Sequence, residues 1–232
     1  KRAIAVADVV IAISEQTRKD LIDVYGANPQ KIKVVYQGCN PVFSEVQSPE
    51  SVHAHLQLFN LPEQFLLYVG TIEERKNLHR LVAAMADLNI PLVVVGRPTD
   101  YYQKVAAAMK GTPLEHNFYH LQDLTQQQLA ALYQRARLFV YPSLYEGFGI
   151  PVIESLSSGT PVLTGTGCLQ EAAGDGGICV DVTNVETLRA EIEKLWFDDD
   201  LLNRLRTAGL AHVSKFTDTA IWQKWNEIYA AL

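Results

Sequence analysis

Short apolar runs alternate with amphipathic helical segments along most of this chain, and no other feature constrains its fold as strongly. Strand-like runs at 65–70, 91–95, 136–140 and 161–164 are separated by segments of helical periodicity, of which 78–88 is the clearest. Strands that alternate with helices form parallel sheets covered on both faces. We therefore predict an α/β fold, a Rossmann-like doubly wound parallel sheet whose ligand lies at the carboxyl ends of the strands.

Segments on both sides of this core are predicted to add further elements. These are a strand at 6–13, a helix at 15–25 ending at Gly26, a strand at 31–36 and a final helix at 217–232. A polar linker at 44–64 precedes the core. Because domain boundaries fall in such linkers, we place a boundary between residues 44 and 45.

Two patterns toward the C-terminal end carry predictions of their own. Thr183 and Glu186 have the spacing of a capping box that opens a helix. Trp222, Trp225 and Tyr229 recur at helical spacing. That spacing favours packing in the core or against another domain over a stacking platform for a ligand.

Composition excludes several classes of function. The formal net charge is −6 over 232 residues, so the basic footprint of nucleic-acid binding is absent. No run of 18 or more apolar residues occurs, which argues against a membrane-spanning helix. The three cysteines are widely spaced, which argues against a disulfide framework or a zinc site and fits a reducing compartment. We therefore expect a cytoplasmic protein with no nucleic-acid partner.

The stretch 141–154 joins a predicted strand to a predicted helix and combines two glycines with two carboxylates. A helix start after a strand offers free backbone N–H groups and a positive helix end to an anion. Gly147 and Gly149 let the backbone approach a ligand closely. Glu146 and Glu154, on either side of this turn, can accept hydrogen bonds from the hydroxyls of a sugar. Glutamates are otherwise usually surface residues.

A second loop, 71–77, follows the predicted strand 65–70 and carries Arg75 and Lys76. An arginine can bind a diphosphate bidentately, and a lysine can bind it as a point charge. An exposed basic pair on a solvated loop is the alternative interpretation. The loop contains neither the G-x-G-x-x-G pattern of dinucleotide sites nor a Walker sequence.

The acidic run 198–200 has two interpretations. It is similar to the acidic cluster with which metal-dependent sugar transferases hold a divalent ion. However, it lies between two predicted helices, where an N-cap and acidic residues in the first turn are favoured. We therefore predict that the run begins a helix and that the protein holds no catalytic metal.

The segment from Glu146 to Glu154, with the sequence E-G-F-G-I-P-V-I-E, resembles the E-x7-E signature of retaining glycosyltransferases of family 4. These group 1 glycosyltransferases have the GT-B fold. Residues 68–77, 93–96, 158–164 and 169–175 resemble other family segments in the same order. The resemblance implies that 1–44 is the tail of an N-terminal acceptor domain with the hinge. It implies that 45–216 is the C-terminal sugar-nucleotide-binding domain, and that 217–232 is a helix packing back toward the hinge.

The resemblance also implies roles for individual residues. Glu146 would be catalytic, contacting the donor sugar and supporting positive charge that develops on it, and Glu154 would bind the ribose. The remaining assignments are Arg75, Lys76 and the backbone of Phe148, Gly149 and Ile150 for the diphosphate, Gly147 for the turn at the sugar, and His120 and Leu121 for the neighbourhood of the base. One residue departs from the pattern, since Thr71 stands where many members have an arginine. Two consequences are open: Arg75 compensates for the missing arginine, or the diphosphate is held less tightly.

The implied function is that of a retaining hexosyltransferase, which moves a hexose from a nucleoside-diphosphate sugar to a glycan or lipid-linked saccharide. The loop 71–77 is similar to that of mannosyltransferases, which favours mannose and a GDP-sugar, with a UDP-sugar as the alternative. We expect no cofactor besides the donor. This chain would be a donor-binding fragment, with the acceptor and any contact with the inner face of the membrane assigned to a missing N-terminal domain.

Two other functions are alternatives to this one. A non-catalytic module or subunit that binds a sugar nucleotide fits the same donor-side residues. A nucleotide-dependent epimerase of related fold is disfavoured, because such epimerases lack the combination of Arg75 and Lys76 with Glu146 and Glu154.

Overall fold

The computed structural model describes residues 2–231, which form two parallel sheets and the helices around them. The strands are β1 (Val10–Ala12), β2 (Ile32–Val34), β3 (Leu66–Val69), β4 (Leu92–Val95), β5 (Phe118–Leu121), β6 (Leu138–Tyr141), β7 (Val162–Thr164) and β8 (Gly177–Cys179). The helices are α1 (Arg2–Val6), α2 (Glu15–Tyr25), α3 (Pro49–Leu58), α4 (Leu78–Met85), α5 (Tyr102–Met109), α6 (Gln126–Arg135), α7 (Ile150–Ser157), α8 (Cys168–Ala173), α9 (Val185–Phe197), α10 (Asp199–His212) and α11 (Asp218–Ala230). None of these helices is long and apolar enough to cross a membrane.

The larger sheet has six parallel strands in the order β5-β4-β3-β6-β7-β8. The chain moves outward from β3 through β4 to β5, returns to β6 beside β3, and then moves outward on the other side. This is the doubly wound arrangement that the alternating pattern predicts, so the predicted fold class is confirmed. The strand order reverses between β3 and β6, and at such a point the following loops diverge and leave a crevice. The loops after these two strands are 70–77 and 142–149.

Both faces of this sheet are buried, as its continuous apolar strands require. All four residues of β4 are buried because alternate side chains enter opposite faces. On one face, Leu81, Val82 and Met85 of α4 are fully buried, and α6 and α7 cover the other face. Each such side chain contributes about 1.5–3 kcal/mol relative to exposure. The sheet is therefore a rigid support for the loops at its carboxyl edge.

The leading segment has its own small sheet, in which β1 and β2 pair in parallel from Val10 and Ile32 onward. Helix α2 follows β1 and ends at Gly26, whose φ of 66° is left-handed, as the sequence predicts. Thr125 and Gln128 also have the sequence spacing of a capping box, and the structure shows that box at the start of α6. The division into domains at residues 44/45 and 216/217 stays a prediction.

The predicted strand at 6–13 is wrong at its beginning. Arg2–Val6 forms the short helix α1, and the strand starts only at Val10. The reason lies in the partner strand, since β2 begins at Ile32, which pairs with Val10. Residues before Val10 therefore have no strand to pair with, and the side chain of Val6 is exposed.

The predicted capping box at Thr183 is also wrong. Helix α9 starts one residue later than that box requires, and Asn184 caps it by accepting a hydrogen bond from the Thr187 N–H at 3.0 Å. The hydroxyl of Thr183 instead donates to the carboxylate of Asp181 at 2.6 Å. A side chain engaged in the preceding turn is not available to cap the helix.

The prediction that the aromatic residues on α11 pack in the core is wrong as well. No residue of α11 is buried, and Trp222 and Tyr229 are 66% and 67% exposed. A stripe of apolar residues at helical spacing is buried only where another element covers it, and none does so within residues 2–231. Packing of this stripe against another domain stays a prediction.

Replacing Gly96 with alanine is expected to lower the free energy of unfolding by about 3 kcal/mol. Gly96 follows β4, and a Cβ atom there would lie 2.0 Å from the carbonyl oxygen of Gly70, which follows β3. Because the clashing atom belongs to the backbone of the central strand, the contact cannot be relieved by a side-chain rotation. Urea denaturation measures the change.

The matched control for this variant is Gly111→Ala. Gly111 has a φ of 76° but no atom within 4 Å of an added Cβ. Its replacement is therefore expected to cost only about 1 kcal/mol of left-handed strain. Equal losses in the two variants would contradict the steric explanation.

Candidate functional site

The carboxylate of Glu146 lies beside the crevice between β3 and β6 and meets both residues of the basic pair. Its Oε1 atom is 2.6 Å from the ammonium of Lys76 and 2.8 Å from the guanidinium of Arg75. The side chains of Lys76 and Glu146 are only 13% and 14% exposed, whereas that of Arg75 is 42% exposed. The alternative interpretation of Arg75 and Lys76 as an exposed basic pair on a solvated loop is therefore wrong for Lys76. Two loops separated in sequence form one charged cluster.

Two neutral donors complete the environment of Glu146. The hydroxyl of Tyr141 is 3.0 Å and that of Ser143 is 2.7 Å from the same Oε1 atom. The ammonium of Lys76 also donates to the Tyr141 hydroxyl and lies 4.9 Å from the centre of its ring. Neither residue belongs to the site predicted from the sequence. Their position between a buried strand and an acidic residue was the available signal.

The protonation states in this cluster follow from its contacts. Burial acts to raise the pKa of Glu146, but the hydrogen bonds from Lys76 and Ser143 outweigh burial, so that its pKa is lowered. Burial and the charge of Glu146 raise the pKa of Tyr141 well above its ordinary value. Near neutral pH, Glu146 is therefore an ionised acceptor and Tyr141 is a protonated donor.

Asn77 joins the loop of Lys76 to the rest of the site. Its side-chain amide is buried and donates to the backbone carbonyls of Pro142 and Val182, at 3.0 and 2.9 Å. Its φ of 61° is left-handed, a conformation that asparagine tolerates better than most residues. Asn77 thus clamps the loop after β3 to the loop after β6. Sequence analysis missed this role, although an asparagine directly before a helix was visible.

The start of α7 provides backbone donors beside Glu146. The N–H groups of Phe148, Gly149 and Ile150 have no hydrogen-bond acceptor among residues 2–231, and they lie at the positive end of the helix. Gly149 has a φ of 113°, and a Cβ atom there would lie 2.7 Å from Leu169. The ring of Phe148 is buried and stacks on Tyr36 at 5.3 Å. Only the backbone of Phe148 can therefore face a ligand.

Glu154 lies apart from the charged cluster. Its carboxylate accepts a hydrogen bond from the hydroxyl of Tyr133 on α6, at 3.1 Å. Burial raises its pKa, and the Tyr133 hydrogen bond opposes that shift. The two glutamates share no hydrogen-bond partner among the described residues. The structure thus brings Arg75, Lys76 and Glu146 together and leaves Glu154, on α7, in a separate environment.

His120 and Leu121 lie at the end of β5, which is separated from β6 by β4 and β3. The Nε2 atom of His120 is 2.8 Å from the carbonyl oxygen of Gly96, and its ring stacks on Tyr102 with centroids 5.2 Å apart. The carbonyl of Leu121 accepts a hydrogen bond from Gly96 at 2.9 Å. The placement of these two residues near the nucleotide base of the donor stays a prediction.

The leading segment, residues before 45, directly contacts the loop 142–149 that follows β6. The hydroxyls of Ser14 and Thr17 donate to the carbonyl of Gly147 at 2.7 and 3.1 Å, and the carboxylate of Glu171 accepts from the first backbone N–H groups of α2. A cavity of about 200 Å³ lies beside Glu146 at this junction. Its lining consists of Gln16, Ser143, Leu144, Tyr145, Glu146, Thr166, Gly167, Cys168 and Leu169. Contacts over such sequence distances could not be predicted from local patterns.

The acidic run 198–200 begins a helix. The carboxylate of Asp198 accepts a hydrogen bond from the Leu201 N–H at 2.8 Å, which confirms its N-cap role at α10. Asp199 pairs with Arg137 at 2.6 Å. Over residues 2–231, no group of three or more His, Cys, Asp or Glu side chains is arranged to hold a metal ion.

This arrangement of sheet, crevice and helix matches that of solved glycosyltransferases. A glycosyltransferase from Rickettsia africae matches with a TM-score of 0.87 at 20% identity, over 96% of this chain and 62% of that one. Anabaena HepE, solved in complex with UDP-glucose, matches with a TM-score of 0.88 at 21% identity, over 99% of this chain and 65% of that one. At these identities the likeness establishes the fold, which is that of GT-B glycosyltransferases.

The chain belongs to the group 1 glycosyltransferases, whose family model matches residues 55–212. The E. coli O-antigen chain mannosyltransferase B is 29% identical over 219 residues, covering 91% of this chain and 57% of that protein. A D-inositol 3-phosphate glycosyltransferase from Segniliparus rotundus is 30% identical over 225 residues, covering 92% of this chain and 50% of that protein. The family predicted from the motif is confirmed. The chain spans about half the length of these curated relatives.

Proposed function

We propose that this chain is the donor-binding part of a retaining hexosyltransferase that uses a nucleoside-diphosphate sugar. The observation that carries the proposal is the meeting of Arg75, Lys76 and Glu146 beside the unpaired amides at the start of α7. Two cations and a helix N-terminus suit a diphosphate. An ionised carboxylate next to them suits the hydroxyls and the developing positive charge of a hexose.

The rest of the donor has candidate partners along the same edge of the sheet. Among residues 2–231, Glu154 accepts a hydrogen bond only from Tyr133, so the carboxylate has further capacity for ribose hydroxyls. His120 and Leu121, at the end of β5, would lie near the base. We assign no cofactor besides the donor.

Mannose is the hexose we propose first, from a GDP-sugar. The relatives include an O-antigen chain mannosyltransferase and a serotype-specific mannosyltransferase from E. coli. A UDP-hexose is the alternative, because HepE was solved with UDP-glucose. The acceptor would be a hydroxyl of a glycan or lipid-linked saccharide held by another domain. A lipid-linked acceptor would bring the enzyme to the inner face of the membrane.

In the proposed reaction, the bond between the anomeric carbon and the diphosphate oxygen breaks as the acceptor oxygen bonds to the same carbon. Lys76 and the α7 amides stabilise the charge that develops on the departing diphosphate, the kind of electrostatic contribution that usually dominates. Glu146, ionised through its contacts, supports the oxocarbenium-like sugar. The acceptor hydroxyl attacks from the face of the leaving group and passes its proton to the departing phosphate oxygen. Attack from this face retains the anomeric configuration.

A thermal shift experiment with GDP, UDP, ADP and their hexose conjugates tests the proposal. A ligand at 100 times its dissociation constant adds about 2.7 kcal/mol to the stability of the folded chain. For a chain of this size we expect the matching nucleotide to raise the melting temperature by roughly 5–10 °C. The base that gives the largest shift identifies the donor class.

The outcome against the proposal is equally defined. If no nucleoside diphosphate and no conjugate raises the melting temperature, the chain does not bind such donors. Retention is checked separately, by the anomeric configuration of the product in NMR spectra. An inverted product would contradict the proposed stereochemistry while leaving donor binding intact.

A further inference from the structure

Within the described part of the chain, residues 2–231, every hydrogen bond to the carboxylate of Glu146 falls on one of its oxygens. Lys76, Arg75, Tyr141 and Ser143 all lie within 3.0 Å of Oε1, whereas Oε2 has no partner among residues 2–231. A carboxylate oxygen offers about two lone pairs, so three hydrogen bonds and the ion pair with Arg75 exceed what Oε1 can accept well. Some of these donors are therefore available to another acceptor.

The four donors differ in how they would respond to a diphosphate. Lys76 and Arg75 are cations on long side chains, and a diphosphate attracts both of them strongly. Tyr141 and Ser143 are neutral and gain less from a phosphate. Tyr141 is also fully buried at the end of β6, so its hydroxyl cannot follow a ligand. Donor binding would thus separate the cations from the neutral hydroxyls.

The hydroxyl of Tyr141 lies between the two parts of the proposed site. It accepts a hydrogen bond from Lys76, on the diphosphate side, and donates one to Glu146, on the sugar side. Burial keeps this phenol protonated, so that it continues to donate to an ionised carboxylate. Ser143, two residues further along the chain, reaches the same oxygen at 2.7 Å.

We infer that Tyr141 is a positioning residue that holds Oε1 of Glu146 in place once Lys76 and Arg75 turn to the diphosphate, so that Oε2 faces the hexose. Ser143 supports the same oxygen. The inference rests on the proposed function, because it takes the cations as diphosphate ligands and Glu146 as the sugar ligand. It adds that sugar recognition depends on a hydroxyl that touches no part of the donor.

Tyr141→Phe tests the inference through two affinities measured on the same protein. Isothermal titration gives the dissociation constants of GDP and GDP-mannose, or of UDP and UDP-glucose if the chain prefers uridine. We expect the dissociation constant of the free nucleotide to stay within about twofold. That of the sugar nucleotide should rise about tenfold, because a hydrogen bond to the charged carboxylate that binds the sugar is lost. The ratio of the two constants is the readout, because loss of folded protein alone would not change it.

Four further variants make the readout specific. Glu146→Gln should raise the ratio of the sugar-nucleotide constant to the free-nucleotide constant at least as much as Tyr141→Phe, since it alters the carboxylate that binds the sugar. Tyr133→Phe removes the hydrogen bond to Glu154 and should weaken both ligands equally, because both contain the ribose. Tyr119→Phe, whose hydroxyl has no partner within residues 2–231, should change neither affinity. Ser143→Ala should also raise the ratio. This variant tests the inference if Tyr141→Phe does not fold.

The outcomes separate this inference from the proposed function. If neither nucleotide binds the unaltered chain, the proposed function fails and the inference fails with it. An unchanged ratio in Glu146→Gln would remove the sugar role of that residue, and the inference again fails. If Glu146→Gln raises the ratio but Tyr141→Phe and Ser143→Ala do not, the proposed function stands and the positioning role of Tyr141 is overturned.

Discussion

Replacing Lys76 with methionine is expected to raise the dissociation constant for the nucleoside diphosphate about a hundredfold. The ammonium lies at the centre of the charged cluster, and its side chain is only 13% exposed, so water cannot replace it fully. Hydrogen bonds to charged groups contribute about 1.5–3 kcal/mol each, and the lysine can make two of them to a diphosphate. Methionine keeps the length of the side chain, so the loss reports the charge. Isothermal titration with GDP and UDP measures it.

The controls for this prediction come from the same chain. Lys110→Met removes an exposed ammonium elsewhere on the surface and should leave nucleotide binding unchanged. Arg75→Met should weaken binding by only about tenfold, because the more exposed guanidinium is better screened by solvent. Binding by Lys76→Met within threefold of the unaltered chain would remove Lys76 from the diphosphate site.

Replacing Asn77 with alanine is expected to lower the free energy of unfolding by about 4 kcal/mol. The buried carbonyls of Pro142 and Val182 would lose their donor, at about 1–3 kcal/mol each. Alanine must also adopt the left-handed φ of 61°, which adds about 1 kcal/mol. Since the clamp joins the loop of Lys76 to the loop of Glu146, nucleotide affinity should fall as well. Urea denaturation gives the first quantity, and titration gives the second.

Two variants distinguish the effect of the lost Asn77 hydrogen bonds on stability from the effect of the left-handed backbone conformation. Asn77→Gly keeps the left-handed conformation without strain and removes the side-chain hydrogen bonds of Asn77, so a loss of about 3 kcal/mol is expected. Asn60→Ala concerns another left-handed asparagine, with a φ of 52° and an exposed side chain, and should cost only about 1 kcal/mol. Similar losses in Asn77→Ala and Asn60→Ala would show that the clamp contributes nothing.

The sequence predicted the order of strands and helices over the core well, because the signals are local. Apolar runs mark β3, β4, β6 and β7, and side-chain caps mark the starts of α2 and α6. Predictions failed where the outcome depended on a distant neighbour. The strand at 6–13 was shortened by the extent of β2. Trp222 and Tyr229 of α11 stay exposed because no element within residues 2–231 covers them.

The candidate site divides in the same way. Glu146 and Lys76 were predicted because a strand end followed by glycines and charged residues has a recognisable pattern. Tyr141 and Asn77 were missed because a tyrosine ending a buried strand and an asparagine before a helix have common structural roles. Only their contacts distinguish them, with the Glu146 carboxylate for Tyr141 and with two buried carbonyls for Asn77.

The amino-acid sequence by itself determined the doubly wound fold, the family and the two loops that carry charge, because periodicity, capping and motif spacing act over a few residues. The tertiary structure alone decided that Lys76 and Glu146, 70 residues apart, form a pair, and that four donors share one carboxylate oxygen. The physical reason is that β3 and β6 become neighbours only when the sheet assembles. Their carboxyl ends then bring opposite charges together in a partly buried crevice, where direct contact replaces hydration.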